Sequence, residues 1–341
     1  MRSPGPDALH LGRRSVAFGL PLAAFGLCIA PVHAVPGVHR FSQVLMGTQM
    51  DLTLQGADRA AVAAAAQAAF AEMTRLANMM SRYRSTSALN AINLMAGLQP
   101  VSVPPELLQV LLMARRAAHA SGGDFDPTVG SLRDWNFDPA NVSIPSAQRV
   151  SQQLSLVGHK DLLIDERAGT AYLSRRGMRL DLGGIAKLPI LQAGMRQLHR
   201  HGVADAMING GGDVLVAGQL NGQPWRVGLR DPRQPERLIG AVSLNHGFVA
   251  ASGDYERFVI HQGRRLHHIL DPKTGYPTRG PRGVVLIADD LNAINGLGAA
   301  IMVAGAAAGR ARVTKVPNLD ALIVDADGSV WCSPGMATRL A

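Results

Sequence analysis

Asp254, Arg257, His267, His268, Asp271 and Thr274 crowd into one short stretch of this chain, and no core strand needs so many polar side chains so close together. Their chemistry is specific. An imidazole exchanges a proton near neutral pH, and a guanidinium grips phosphate or carboxylate. Between them the pattern predicts a hairpin of two strands, Phe258 to His261 and Arg265 to Leu270, joined around Gln262-Gly263. The polar residues then fall at strand ends, where sites are commonly built. Neighbours on a strand point to opposite faces, so His267 and His268 cannot both serve one site: one is functional and the other structural or exposed.

Three glycine-bearing junctions are the next candidates. Asp181-Leu-Gly-Gly-Ile-Ala-Lys187 runs from a predicted strand into a predicted helix. A helix start offers free N–H groups and partial positive charge to a phosphate, and Lys187 would add a full charge where the helix dipole disfavours one. The spacing is not that of a Walker A loop, and a tight strand-to-helix turn explains it equally well. Asn209-Gly-Gly-Gly-Asp213 joins two strands and reads as a site or as a sharp turn. In Gly123-Asp-Phe-Asp-Pro-Thr128, Asp126 before Pro127 is turn chemistry, while Phe125 could stack on a planar ring. The chain has no His-Glu-x-x-His zinc pattern, no Gly-x-Ser-x-Gly elbow and no cysteine pair for zinc.

The elements that must hold these residues are a mixture. A strand-like run over 41–54 precedes an alanine-rich helix over 57–80, with Phe70, Met73, Leu76, Ala77 and Met80 on its apolar face. A second helix runs from Pro104 or Pro105 to about Ala120, and Ser146 is placed to cap a third reaching about Leu156. Short strands follow over 162–165, 171–174 and 178–182, then a helix over about 185–201 ended by Gly202. Further strands are predicted over 206–208, 214–217, 225–229, 240–244 and 283–288, then a small-residue helix over 292–304 and a terminal hairpin over 322–331 turning at Asp327-Gly328. Without strict βαβ alternation, the fold class is α+β: a single module over 35–341 with mixed, largely antiparallel sheets and packed helices.

Residues 1–34 read as an export signal. Arg13-Arg14 precedes an apolar run from Val16 to Ile29 and then Val32-His33-Ala34, a small-residue cleavage site. The paired arginines match an incomplete twin-arginine pattern, with an ordinary Sec signal as the alternative. Export implies a periplasmic protein. Leu27 before Cys28 argues against a lipid anchor, and Cys332 is then the mature chain's one cysteine, so no internal disulfide forms. The net charge of +9 favours anionic ligands, but at 4% aromatic content and with no basic run interleaved with stacking residues it does not indicate nucleic acid.

Taken in order, Met46-Gly47-Thr48, Ser81-Arg-Tyr83, Phe125-Asp126-Pro127-Thr128, Asp181 to Lys187, Asn209 to Asp213, Ser252-Gly-Asp-Tyr255 and His268-Ile-Leu-Asp-Pro with Thr274-Gly275 resemble the ApbE family of FAD:protein FMN transferases. The resemblance implies an α+β protein that binds FAD in a cleft. It further implies that Mg²⁺ helps cut the pyrophosphate, that FMN passes to a threonine hydroxyl of a partner protein, and that AMP leaves. The partner would be a flavin-accepting exported or membrane redox protein. By motif position, Met46, Tyr83, Phe125, Asp126, Asp181, Lys187 and Ile269 would contact FAD, His268 would be the catalytic histidine and Lys187 would assist it. The family's metal positions fall on Gly184, Asn295 and Ala299, where the usual carboxylate has become an amide and the usual hydroxyl a methyl. A divergent transferase, a periplasmic FAD-binding protein that has lost transfer, and an FAD pyrophosphatase all remain open on these residues.

Overall fold

The computed structural model describes residues 37–340. The expected export signal lies outside the described residues. Eight antiparallel strands form one sheet in chain order: β1 (Val38–Leu45), β2 (Thr48–Gln55), β3 (Ala206–Gly210), β4 (Asp213–Ala217), β5 (His246–Gly253), β6 (Gly283–Ala288), β7 (Asp320–Val324) and β8 (Val330–Cys332). Each strand therefore pairs with its sequence neighbours in the sheet, and the long insertions between them carry the helices and smaller hairpins. The α+β expectation holds, and every ladder among the described residues is antiparallel.

Both faces of the central strands are covered, which is why β6 reads as the unbroken apolar run Gly-Val-Val-Leu-Ile-Ala. Val284, Leu286 and Ala288 enter the main core, while Val285 and Ile287 enter a second core on the other face. The helices α1 (Arg59–Met79), α2 (Pro105–Ala120), α3 (Lys187–Arg200) and α4 (Leu297–Ala304) lie on the main-core side. The hairpin Trp225–Arg230 with Leu238–Leu244 closes the second core over Trp225 and Met336.

Local chemistry sets the helix ends. Asp58 caps α1 by accepting from the N–H groups of Ala60 and Ala61 at 2.8 and 3.3 Å. Met73, Leu76 and Met80 are buried as their spacing predicts, with Phe70 and Ala77 packed beside them. Pro105 opens α2 at the position where its missing N–H costs nothing. Ser146 caps a helix over Ala147–Leu154 by accepting from the N–H of Arg149. Among the described residues no helix is long and apolar enough to cross a membrane.

Three expectations are corrected. The run over 41–54 is a hairpin, because Met46 and Gly47 both take positive φ, 55° and 72°, and turn β1 back into β2. Met is a poor turn former, so the sequence hides this bend. The segment 178–182 is extended but joins no ladder: Leu180 donates its N–H to Asn93 Oδ1 at 2.7 Å, and Asp181 donates to the carbonyl of Pro127 at 2.8 Å. The helix expected over 292–304 breaks into Leu291–Ile294 and α4, because Asn295 is extended and Gly296 adopts a left-handed φ of 80°. Sequence periodicity also missed the strand β5 and the short helix Ala88–Leu94 that carries Asn93.

Gly130 shows how tightly the segment leading to Asp181 is held. A Cβ there would lie 2.6 Å from the backbone carbon of Leu180 and 2.9 Å from the carbonyl oxygen of Arg179, and backbone cannot yield as a side-chain tip can. Gly130→Ala is expected to lower unfolding free energy by about 2 kcal/mol through overpacking. A urea melt superimposable on wild type would contradict that packing.

Candidate functional site

Lys187 is the first residue of α3, and its ammonium reaches Asp213 Oδ2 at the start of β4 at 2.9 Å. The other oxygen of Asp213 accepts from the N–H of Ala251 in β5 at 2.9 Å. One carboxylate thus ties the helix start to two strands. Before the helix, Asp181 Oδ1 accepts from the N–H of Gly183 at 2.8 Å, and its second oxygen pairs with Arg82 at 3.1 Å. Gly183 and Gly184 are exposed, so the turn presents bare backbone.

Other glycines bring chain segments together around this helix start. A Cβ on Gly184 would stand 3.4 Å from the Phe125 ring and 3.9 Å from the Ala299 methyl. One on Gly298 would lie 2.6 Å from Ser252 Oγ, and one on Gly211 would collide with the Thr48 hydroxyl. Gly47 approaches Arg257 Nη2 at 3.2 Å on the same measure. The three glycine junctions singled out in the sequence therefore meet at one end of the sheet, with the Met46-Gly47 turn beside Arg257.

The hairpin is shorter than expected, Phe258–His261 with Arg264–His267, and its register explains the two histidines. Phe258 pairs with His267, and one step beyond, the N–H of His268 donates to the carbonyl of Arg257 at 3.0 Å. Directly opposed residues project to one face of a ribbon, so Arg257 and His268 share a face and Phe258 and His267 share the other. His267 is buried, with Nε2 2.9 Å from the carbonyl of Thr278, whereas His268 is exposed. His268 has its pKa pushed down to about 4, first by surrounding protein and then by the charges of His267 and Arg257. Surrounding protein and the nearby Arg257 guanidinium together keep this imidazole neutral at pH 7.

The predicted contacts divide. Lys187 and Asp181 are half-exposed, and Gly184 and His268 are exposed. Met46 and Ile269 are half-buried against the main core at its edge. Tyr83 is 76% exposed, with the Arg82 guanidinium 4.9 Å from its ring centroid. Phe125 is 6% exposed, its ring set between Gly184 and Gly296. Asp126 carries the turn chemistry read from its place before Pro127. One oxygen accepts from the N–H and hydroxyl of Thr128 at 2.8 and 2.6 Å, and the other meets the backbone N–H and Nδ1 of His159 at 2.8 and 3.2 Å.

The metal positions do not fit a divalent cation. Asn295 is buried with Nδ2 turned toward Met113 Sδ at 3.9 Å, and Ala299 presents a methyl. Neither supplies the hard anionic oxygen that Mg²⁺ selects. Both oxygens of Asp181 are already engaged, and no group of three or more His, Cys, Asp or Glu side chains among the described residues could hold a metal. Sequence reasoning also missed Arg82 and Asp213 as partners of Asp181 and Lys187. It missed the ion cluster in which buried Asp124 takes Lys273 at 2.6 Å and also Arg312, because partners so distant in sequence leave no local pattern.

A family model described as the ApbE family matches residues 46–323. An FAD:protein FMN transferase of Klebsiella pneumoniae is 34% identical over 242 residues, covering 70% of this chain and 74% of that protein. One of Treponema pallidum is 32% identical over 302 residues, covering 82% of each. Among solved structures, the ApbE protein of Thermotoga maritima superimposes with a TM-score of 0.82 at 30% identity, covering 89% of this chain and 99% of that one. The flavin transferase ApbE of Vibrio cholerae, at 24% identity and a TM-score of 0.77, shares the fold.

His267 carries a pH signature. Its Nε2 faces a carbonyl and so holds the proton, while its buried Nδ1 has no partner. Protonation would bury an unmatched N–H, and burial accordingly lowers its pKa below the ordinary 6.5. The unfolded chain then binds the extra proton first, so the stability contribution is intact above pH 6.5 and is lost as pH falls below it. Between pH 7 and 5 the melting temperature of wild type is expected to fall more steeply than that of His267→Gln. Parallel slopes would contradict this.

Proposed function

The chain belongs to the ApbE family, and from that premise we propose that its cleft binds FAD and transfers the FMN half to a threonine hydroxyl of a partner protein. The observation that carries the proposal is an exposed imidazole, His268, held by backbone opposite Arg257, whose side chain reaches the Met46-Gly47 turn. The hydroxyl oxygen attacks the phosphorus next to riboflavin and forms a phosphoester P–O bond. The P–O bond to the bridging oxygen breaks, and AMP leaves with that oxygen. His268 accepts the hydroxyl proton, and the α3 N-terminus with Lys187 opposes charge building on the phosphate oxygens. The open ring of Tyr83 supplies a stacking surface for a planar base. Positioning and charge neutralisation dominate such a displacement, so few catalytic side chains are needed.

Magnesium is left out of this sequence of steps because Asn295 and Ala299 do not fit it. The residues 1–34 are proposed to direct export to the periplasm, by the twin-arginine or the Sec route, without a lipid anchor. The acceptor is then an exported or membrane redox protein that carries the threonine.

Intact-mass analysis after incubation with FAD and a threonine-bearing acceptor domain tests the reading. The acceptor is expected to gain one FMN and AMP to appear in step with it. His268→Ala should slow transfer by about a hundredfold or more, and Tyr83→Ala should weaken FAD binding by up to about tenfold. FAD held intact without transfer would point instead to a binding protein, and FMN and AMP released to water without an acceptor would point to a pyrophosphatase.

A further inference from the structure

We infer that Arg257 binds the FAD pyrophosphate beside His268, and that flavin binding in this cleft does not depend on a divalent cation. The inference rests on the flavin-transferase reading and begins from the misfit of the metal positions. A pyrophosphate diester is anionic, and a cleft without a metal must meet that charge with its own side chains. The charge of Lys187 is offset in part by Asp213 and that of Arg82 by Asp181. Lys273 and Arg312 are both committed to Asp124. Arg257, which reaches the Met46-Gly47 turn, forms no ion pair with a carboxylate among the described residues.

Its placement is fixed by backbone. The carbonyl of Arg257 accepts from the N–H of His268, so the two residues sit opposite each other just past the last hairpin pair and project to one face. The guanidinium is exposed and reaches the Met46-Gly47 turn, lying 3.2 Å from where a Gly47 Cβ would stand. Any larger residue at Gly47 would press on it. A planar fork of N–H donors matches two phosphate oxygens at once, which a lone ammonium cannot do. The same charge helps keep His268 neutral and able to accept a proton. Arg257 thus supplies both the anion contact and part of the setting for the imidazole.

Fluorescence titration of the chain with FAD and with riboflavin, each in EDTA and in magnesium chloride, tests both parts. Riboflavin has the ring system without the phosphates. FAD affinity is expected to change less than about twofold between EDTA and magnesium. Arg257→Gln should weaken FAD at least about tenfold while leaving riboflavin within about twofold, and Arg257→Lys should recover part of the loss. FAD binding that collapses in EDTA and returns with magnesium would overturn metal independence. Equal weakening of both ligands, or of neither, by Arg257→Gln would overturn the phosphate contact. Failure of wild type to bind either flavin would instead remove the transferase reading and this inference with it.

Discussion

Lys187 occupies the first turn of a helix, where the dipole opposes a cation, and what makes that position tolerable is Asp213. The pair is only partly exposed, and Asp213 also receives a backbone N–H from β5, so one carboxylate joins α3, β4 and β5 at the end of the sheet. A charge-assisted contact in such a setting contributes on the order of 2 kcal/mol. Its larger effect is geometric. With α3 fixed there, Gly183 and Gly184 are presented bare, and the junctions at Gly211 and Gly298 close around Thr48 and Ser252 because no side chain intervenes.

On the other side of the cleft the controlling constraint is parity. The hairpin over 258–267 pairs Phe258 with His267, so the next step outward sets Arg257 opposite His268 on the open face. A one-residue slip would bury His268 and expose His267. The buried histidine is left with an unpartnered Nδ1, while surrounding protein and the Arg257 guanidinium keep His268 neutral. Chemistry at His268 and stability at His267 therefore come from one register.

Much of this was legible in the chain. Helix starts at Pro105 and Ser146 follow from proline and capping rules, and the strand β6 from its apolar run. The glycine junctions announced where backbone would be bare. What escaped was set by distant partners or by unlikely residue types. Met46 turns β1 into β2 with a positive φ that its side chain disfavours, and Leu180 stays out of a sheet because Asn93, 87 residues away, takes its N–H. Asp126 caps its turn as its place before Pro127 suggests, but its second oxygen also holds His159, 33 residues away. The break at Asn295-Gly296 divides a segment whose small apolar residues read as one helix. It falls where the family's metal positions lie, and it leaves an amide and a methyl there.

The most direct test is a crystal structure of the chain grown with FAD and manganese chloride, with diffraction recorded at the manganese absorption edge. The pyrophosphate is expected between the α3 start and the Arg257–His268 face, with no anomalous peak beside Asn295 and Ala299. Flavin bound elsewhere, or a manganese ion joining the phosphates to Asn295, would contradict it.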